Sequence, residues 1–343
     1  MKFPLLLMLG VGIVGCSGQK STVDKDLNDV LDATTYVNSI TAGELKTHLY
    51  IVASDEMEGR NTGEPGQKKA AQYLIDQYKL MGIPYPKGAT SYLQPIPSSF
   101  FTRPFSPRLK DSENVWAFIE GSEKPEEILV VSAHYDHVGV KNGEIYNGAD
   151  DDGSGTVALL EIAQAFAQAK KEGKGPKRSV LILHVTGEEY GLHGSRFYTE
   201  NPLFPLKNTV ANINIDMIGR RDTIHATSNN YVYVIGSDRL STDLHKITES
   251  ANQRYAKLEL DYRYNDINEP NRFYYRSDHY NFAKNGIPAV FFFNGVHDDY
   301  HKPGDTPDKI EYDALEIRTR LAFATAWELA NRDERPRVDR SGK

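Results

Sequence analysis

The stretch Ile128-Leu129-Val130-Val131-Ser132-Ala133-His134-Tyr135-Asp136 decides the fold of this chain. It opens as an unbroken apolar run rather than an alternating one, which is what a strand covered by helices on both faces needs. Further strands are read at Asn114–Ile119, Ser179–Thr186, Thr209–Met217, Tyr231–Ile235 and Ile287–Phe293. Between them, and after the last, lie stretches of helical spacing at about 154–170, 189–199, 239–256 and 312–331. Upstream, Ala70, Ala71, Leu74, Ile75, Tyr78 and Met81 share one face of a helix over about 66–82. Thr41 and Glu44 form a capping-box pattern, with Ile40 and Leu45 placed to staple the helix entry. Ile83 to Pro107 is Pro-rich and predicts turns and extended pieces. Strands alternating with helices imply a three-layer α/β/α sandwich around a mostly parallel mixed sheet. No internal repeat and no break in composition marks a second domain.

The rest of the composition bounds the function. With 343 residues, 39% hydrophobic and 25% charged, the chain has ample length for a globular core. A formal charge of −7 supplies no basic field for nucleic acid. One cysteine excludes a disulfide framework and a thiolate zinc site.

In sheets of this kind, ligands and catalysts collect outside the carboxyl ends of the strands. Nearly every predicted strand here ends in an acid or a histidine. His134-Tyr135-Asp136 closes the first run, and Gly148-Ala149-Asp150-Asp151-Asp152-Gly153-Ser154-Gly155 precedes a helix. Gly187-Glu188-Glu189 follows Thr186, Asp216 interrupts the apolar strand from Asn212 to Gly219, and His301 follows Asp298-Asp299-Tyr300. Singly, each has an ordinary explanation: a structural histidine, a solvated turn or helix cap, acids answering a helix dipole. Asp216 is harder to dismiss, because an ionised carboxylate in an apolar strand is costly unless paired or metal-bound. Taken together, two histidines and several carboxylates at one sheet edge suit nitrogen and oxygen ligation of a pair of metals.

These motifs resemble the two-zinc aminopeptidase family, that of aminopeptidase Y and the bacterial leucyl aminopeptidases. The likeness runs from about Met57 to Asp308 and includes Met57-Glu58-Gly59-Arg60, Gly63-Glu64-Pro65-Gly66, Ser277-Asp278-His279 and Gly286-Ile287-Pro288-Ala289. It implies a zinc-exopeptidase fold with two Zn2+ ions, Asp150 bridging them, His134 and Asp216 completing one site, and Glu189 with His301 completing the other. It implies Glu188 as general base and Asp136 as the group that hydrogen-bonds the second nitrogen of His134. Asp151 is expected beside the ligands rather than among them, joined to Asp150 by a cis peptide. His137, His193 and His297 are read as shaping the site, and His184 as a hydrogen-bonded core residue. Phe273, Tyr274 and Tyr275 either rim a specificity pocket or pack against the sheet. The short span between Met81 and His134 leaves no room for the protease-associated domain that some members insert there.

The implied activity is hydrolysis of N-terminal residues from peptides with a free amine. Two competing readings stay open. One is a glutaminyl cyclase-like acyltransferase, whose relatives share the Glu-Glu pair but usually lack the Asp-Asp-Asp-Gly-Ser-Gly run. The other is a non-catalytic binding domain of the same fold.

The N-terminus carries a separate message. Lys2, the apolar run Phe3 to Val14 and the ending Ile13-Val14-Gly15-Cys16 resemble the signal and lipobox of bacterial lipoproteins. Residues 1–15 are then a signal peptide, Cys16 the lipidated residue, 16–39 a flexible tether, 40–335 one catalytic domain and 336–343 a tail. Ser17 after the cysteine points to the outer membrane. The anchor makes a membrane the expected partner besides peptide substrate; the oligomeric state is not legible.

Overall fold

The computed structural model describes residues 32–101 and 108–341. The expected signal peptide, Cys16 and the first part of the expected tether lie outside the described residues. The helices are α1 (Thr34–Ser39), α2 (Ala42–Val52), α3 (Pro65–Leu80), α4 (Gly155–Lys171), α5 (His193–Glu200), α6 (Thr242–Ala251), α7 (His279–Ala283) and α8 (Tyr312–Asn331). The strands are β1 (Leu93–Ile96), β2 (Ser112–Ile119), β3 (Lys124–His134), β4 (Gly139–Lys141), β5 (Glu144–Tyr146), β6 (Arg178–Val185), β7 (Thr209–Ile215), β8 (Tyr231–Ile235), β9 (Glu259–Asp261) and β10 (Ala289–Phe293).

Eight strands form one sheet in the order β1-β2-β6-β3-β7-β10-β8-β9, and β4 pairs with β5 as a separate hairpin. The central strands β6, β3, β7 and β10 run parallel, so their carboxyl ends share one edge. Antiparallel pairing of β2 with β6 and of β8 with β10 makes the sheet mixed. Every residue of β6 and β7 is buried, in accord with the apolar run Val180–Leu183 of β6, while β7 buries Asn212 and Asn214 between its apolar residues. The short strands β1, β4, β5 and β9 were not legible from periodicity, since three or four residues are too few to establish it.

On one side of the sheet, α4 and α8 meet through rings: Phe166 stacks on Trp327 at 5.8 Å and Phe323 meets Phe166 at 4.9 Å. Burying a ring of this size contributes on the order of 1.5–3 kcal/mol. Thr41 caps α2 as its spacing predicts, its hydroxyl accepting from the Glu44 amide.

Two boundaries shift. Residues 34–39, expected in the tether, form α1, and ordered structure begins before Ile40. Ala33, Tyr36, Val37 and Ile40 make an i, i+3, i+4, i+7 stripe that is buried, with Tyr36 against Trp327 at 5.2 Å. The expected tail after 335 is tied down as far as Arg340. Arg337 grips Asp243 near the start of α6 at 2.8 Å, and Arg340 pairs with Asp238 at 2.7 Å.

Candidate metal centre

The carboxyl ends of β3, β6, β7 and β10 bring His134, Glu188, Glu189, Asp216 and His301 to one place. His134 is the last residue of β3, Asp216 follows β7 directly, and Glu188 and Glu189 lie just past β6. His301 comes from the loop after β10. Its φ of 54°, like the 55° of Met217 beside Asp216, is a left-handed value. Such conformations cost roughly 1–3 kcal/mol each and persist only when surrounding contacts hold them.

The three consecutive aspartates have three different tasks. The Asp152 carboxylate accepts from the amides of His134 (3.1 Å), Met217 (3.1 Å) and Gly155 (2.9 Å). It therefore ties the ends of β3 and β7 to the start of α4. Asp150 accepts from the Gly219 amide at 2.6 Å on one oxygen and faces His297 Nε2 at 3.1 Å with the other. Asp151 reaches into the cluster, with one oxygen 3.2 Å from His134 Nε2 and the other 3.0 Å from His301 Nε2.

This corrects the expected bridge. Asp150 does not lie between the two groups of donors, because both of its oxygens are engaged elsewhere; Asp151 does. The cis peptide is likewise one residue further on, between Asp151 and Asp152. The whole turn is clamped from a distance by Asp305, whose carboxylate accepts from the amides of Asp150 and Asp151 at 3.0 and 3.1 Å. Beneath it, Arg60, fully buried, donates to the carbonyls of Tyr135, Val52, Asn147 and Gly148. That accounts for the Met57-Glu58-Gly59-Arg60 motif. Gly148 has φ of 56°, and a Cβ there would strike the Asp151 carbonyl and the His137 ring.

Asp136 also differs from expectation. The contact to His134 Nδ1 is made by its main-chain carbonyl, at 3.0 Å, while its carboxylate stands 3.8 Å away. That carboxylate is already occupied, accepting from the Thr62 hydroxyl at 2.8 Å and the Glu188 amide at 3.2 Å. The outcome for His134 is the same: an acceptor at Nδ1 places the proton there and leaves the Nε2 lone pair facing Asp151 and Asp216. Asp216 stands 3.6 Å from that nitrogen, and its other oxygen accepts from the Ser277 hydroxyl at 2.6 Å.

Two sets of donor atoms converge tightly enough to share a cation: His134, Asp151 and Asp216, and His137, Asp151 and Glu189. His137 was not read as a ligand, yet its Nδ1 lies 2.7 Å from Glu189. Its place after His134-Tyr135-Asp136 was visible, but nothing in the spacing tells which way a residue beyond a strand end will turn. His301 Nε2 sits 3.0 Å from Glu189 on the same side. His134 Nε2, His137 Nδ1, Asp151 Oδ2 and Glu189 Oε1 are buried and, though some of them lie 2.7–3.2 Å from another member of the cluster, none makes a well-aligned hydrogen bond among the described residues. Unpartnered buried donors of this kind are costly, and divalent-metal ligation would satisfy them all at once. Imidazole nitrogens with carboxylate oxygens form a donor set suited to zinc, with the cation taking the place of the ring proton.

The electrostatics agree. Burial opposes ionisation of Asp151, but His134, His137 and His301 together hold its carboxyl well below the usual range. Burial likewise opposes protonation of His301, yet Asp151 and Glu189 outweigh it and push the imidazole up to about 10. The carboxylates thus draw positive charge to the place where the donors converge. Glu188 behaves oppositely: burial, reinforced by Asp216, Asp278 and Glu189, lifts its carboxyl well above the usual range.

His297 is hydrogen-bonded to Asp150, and His193 Nδ1 receives a contact from Arg196 at 3.0 Å, so neither enters the donor sets. His184 is buried in β6, its ring nitrogen against the Tyr78 hydroxyl. Phe273 walls a narrow pocket beside Asp216 and Glu188, together with Phe291 and Phe293. Tyr275 instead lines a wider hollow next to it, and Tyr274 packs beneath Arg239.

A mixed α/β sheet with convergent carboxylates and imidazoles at its parallel edge defines a candidate metal centre at the strand ends. Residues 114–326 match the family model of Peptidase family M28, and the chain belongs to that family. It is 32% identical over 224 residues to a protein of Trichophyton verrucosum named "Probable leucine aminopeptidase", covering 63% of this chain and 57% of that one. The chain thus spans little more than half the length of that relative. Its fold is similar to the aminopeptidase from Aneurinibacillus sp. strain AM-1, with a TM-score of 0.67 at 15% identity, over 90% of this chain and 98% of the other. A Zn-dependent exopeptidase from Parabacteroides distasonis superposes with a TM-score of 0.64 at 20% identity, over 85% and 98% of the two chains.

Proposed function

We propose that this chain is a zinc-dependent aminopeptidase whose two metal ions are held by His134, Asp151 and Asp216 on one side and by Asp151, Glu189 and His301 on the other. His137 stands beside the second set as a further nitrogen donor. The observation that carries the reading is Asp151, whose two oxygens face imidazoles belonging to the two sets at 3.2 and 3.0 Å. Names among the relatives, a leucine aminopeptidase and a Zn-dependent exopeptidase, support the reaction and the metal.

When bound, two such cations supply the charge that acidifies a shared water and polarises a scissile carbonyl. The protein's own part falls to Glu188, which borders the cluster 4.0 Å from His134 Nε2. A carboxyl whose affinity for protons is raised by burial and neighbouring acids can take a proton from the attacking water. The same property lets it deliver that proton to the departing amine nitrogen. The narrow pocket beside Asp216 and Glu188 offers Phe273, Phe291 and Phe293 as an apolar wall for the first residue's side chain.

The test is Glu188→Gln, which keeps size and hydrogen bonding but cannot accept the proton. Release of the first residue from a free peptide should fall at least ~100-fold, with zinc content unchanged. Full activity in that variant would overturn the assignment. The Lys2-led apolar run ending at Cys16 supports an exported chain held to a bacterial membrane through acyl groups on that cysteine.

A further inference from the structure

Beside the narrow pocket, between α5 and α7, lies an open hollow of about 430 Å3. The two share Glu188, Arg276 and Tyr300. The division of labour between them follows from shape. The narrow pocket is lined by Phe273, Phe291 and Phe293 and is far smaller than the hollow, so it suits an apolar side chain rather than a length of peptide. A peptide of unrestricted length must leave by the open side.

The open side is lined with cations. Arg196 is already engaged, donating to the Phe100 carbonyl and contacting His193. Arg276 and Lys284 are exposed and have no ion-pair partner among the described residues. The guanidinium of Arg276 rests 4.8 Å from the centre of the Phe273 ring, which holds it at the junction of the two spaces. The acids on this wall do not offset them. Glu189 is paired with His137 and His301, at 2.7 and 3.0 Å, and Glu188 faces His134 at 4.0 Å.

We propose that this hollow receives the residue on the leaving side of the scissile bond and selects a carboxylate there, through Arg276 and Lys284. The inference rests on the aminopeptidase reading and gives it a substrate class. The carboxylate can come from an acidic side chain at the second position of the peptide, or from the free C-terminus of a dipeptide.

Two pairs of substrates separate these sources, assayed on the zinc-loaded protein. One pair is Leu-Glu-Ala-amide against Leu-Gln-Ala-amide, and the other is leucylglycine against leucylglycinamide. Exposed charge pairs of this kind correspond to about a 3- to 10-fold preference in kcat/KM, mostly in KM, and fade at high salt. A preference within the first pair assigns the side chain, and one within the second assigns the C-terminus. The Arg276→Gln/Lys284→Gln double variant should hydrolyse both members of each pair alike. Arg276→Glu should shift preference toward Leu-Lys-Ala-amide. Equal rates within both pairs for the unmodified protein, or a preference that survives the double variant, would overturn the proposal and leave the aminopeptidase reading intact. Failure to release leucine from any of the peptides would instead overturn that reading, and this one with it.

Discussion

Replacing one aspartate at a time along Asp150-Asp151-Asp152 tests how the centre is built. Asp151 makes one charge-assisted contact to each side of the cluster, at 3.2 Å to His134 and 3.0 Å to His301. Asp151→Asn removes the one carboxylate common to both donor sets, and should weaken zinc binding by at least the roughly 10- to 100-fold that losing even an outer-shell partner costs. Asp150→Asn is the control. Its amide oxygen can still accept from the Gly219 amide, and what goes is the charged acceptor 3.1 Å from His297. That variant should lose at most ~3 kcal/mol of folding stability and keep its zinc. Equilibrium dialysis against Zn2+ with elemental analysis reads the stoichiometry, and calorimetry reads the unfolding temperature. Two zinc ions per chain are expected for the unmodified protein and for Asp150→Asn, and fewer for Asp151→Asn. If Asp151→Asn holds two ions while Asp150→Asn loses them, the bridge is Asp150 and the geometric argument fails.

Two further tests concern buried charge away from the centre. Glu161 on α4 has a side chain only 1% exposed, both of its oxygens lack a hydrogen-bond partner among the described residues, and burial, with Glu44 nearby, pushes its carboxyl up to about 8. His48 is 3.7 Å away, but burial lowers its own proton affinity. Since the folded state binds this proton more tightly than the unfolded one, stability is greatest below the unfolded value and declines as pH rises toward 8. Glu161→Gln should remove that decline and gain roughly 2–4 kcal/mol at pH 8 in urea unfolding; an unchanged pH slope would contradict the account. Arg60 donates four hydrogen bonds to main-chain carbonyls beneath the acidic turn, and a lysine cannot reproduce that fork. Arg60→Lys should destabilise the fold by ~3–5 kcal/mol in the same assay, and a loss below about 1 kcal/mol would show that the carbonyls find other donors.

What was legible in the sequence is what strand and helix periodicity carries. The apolar runs Ile128–Val131 of β3 and Val180–Leu183 of β6 announced a parallel centre covered on both sides. Once those strands were parallel, the residues at their carboxyl ends had to share an edge. His134, Glu188, Glu189 and Asp216 were therefore identified by position along the chain. The membership of α1 in the core was also written there, as the Ala33, Tyr36, Val37, Ile40 stripe, but the polar residues around it obscured the period.

Orientation within the irregular turns was decided only by the tertiary structure. Asp150, Asp151 and Asp152 are chemically identical and adjacent, and no repeat governs a turn of this kind. Which one faces the cluster depends on who occupies the others. The Gly219 amide and His297 take Asp150, the amides at the ends of β3 and β7 take Asp152, and Asp305 fixes the backbone between them. Those partners lie up to 155 residues away in sequence. The same holds for His137, turned toward Glu189, and for Asp136, whose carbonyl rather than carboxylate meets His134. Residue type at a strand end selects the chemistry that can be done there, and packing from distant segments chooses which atom does it.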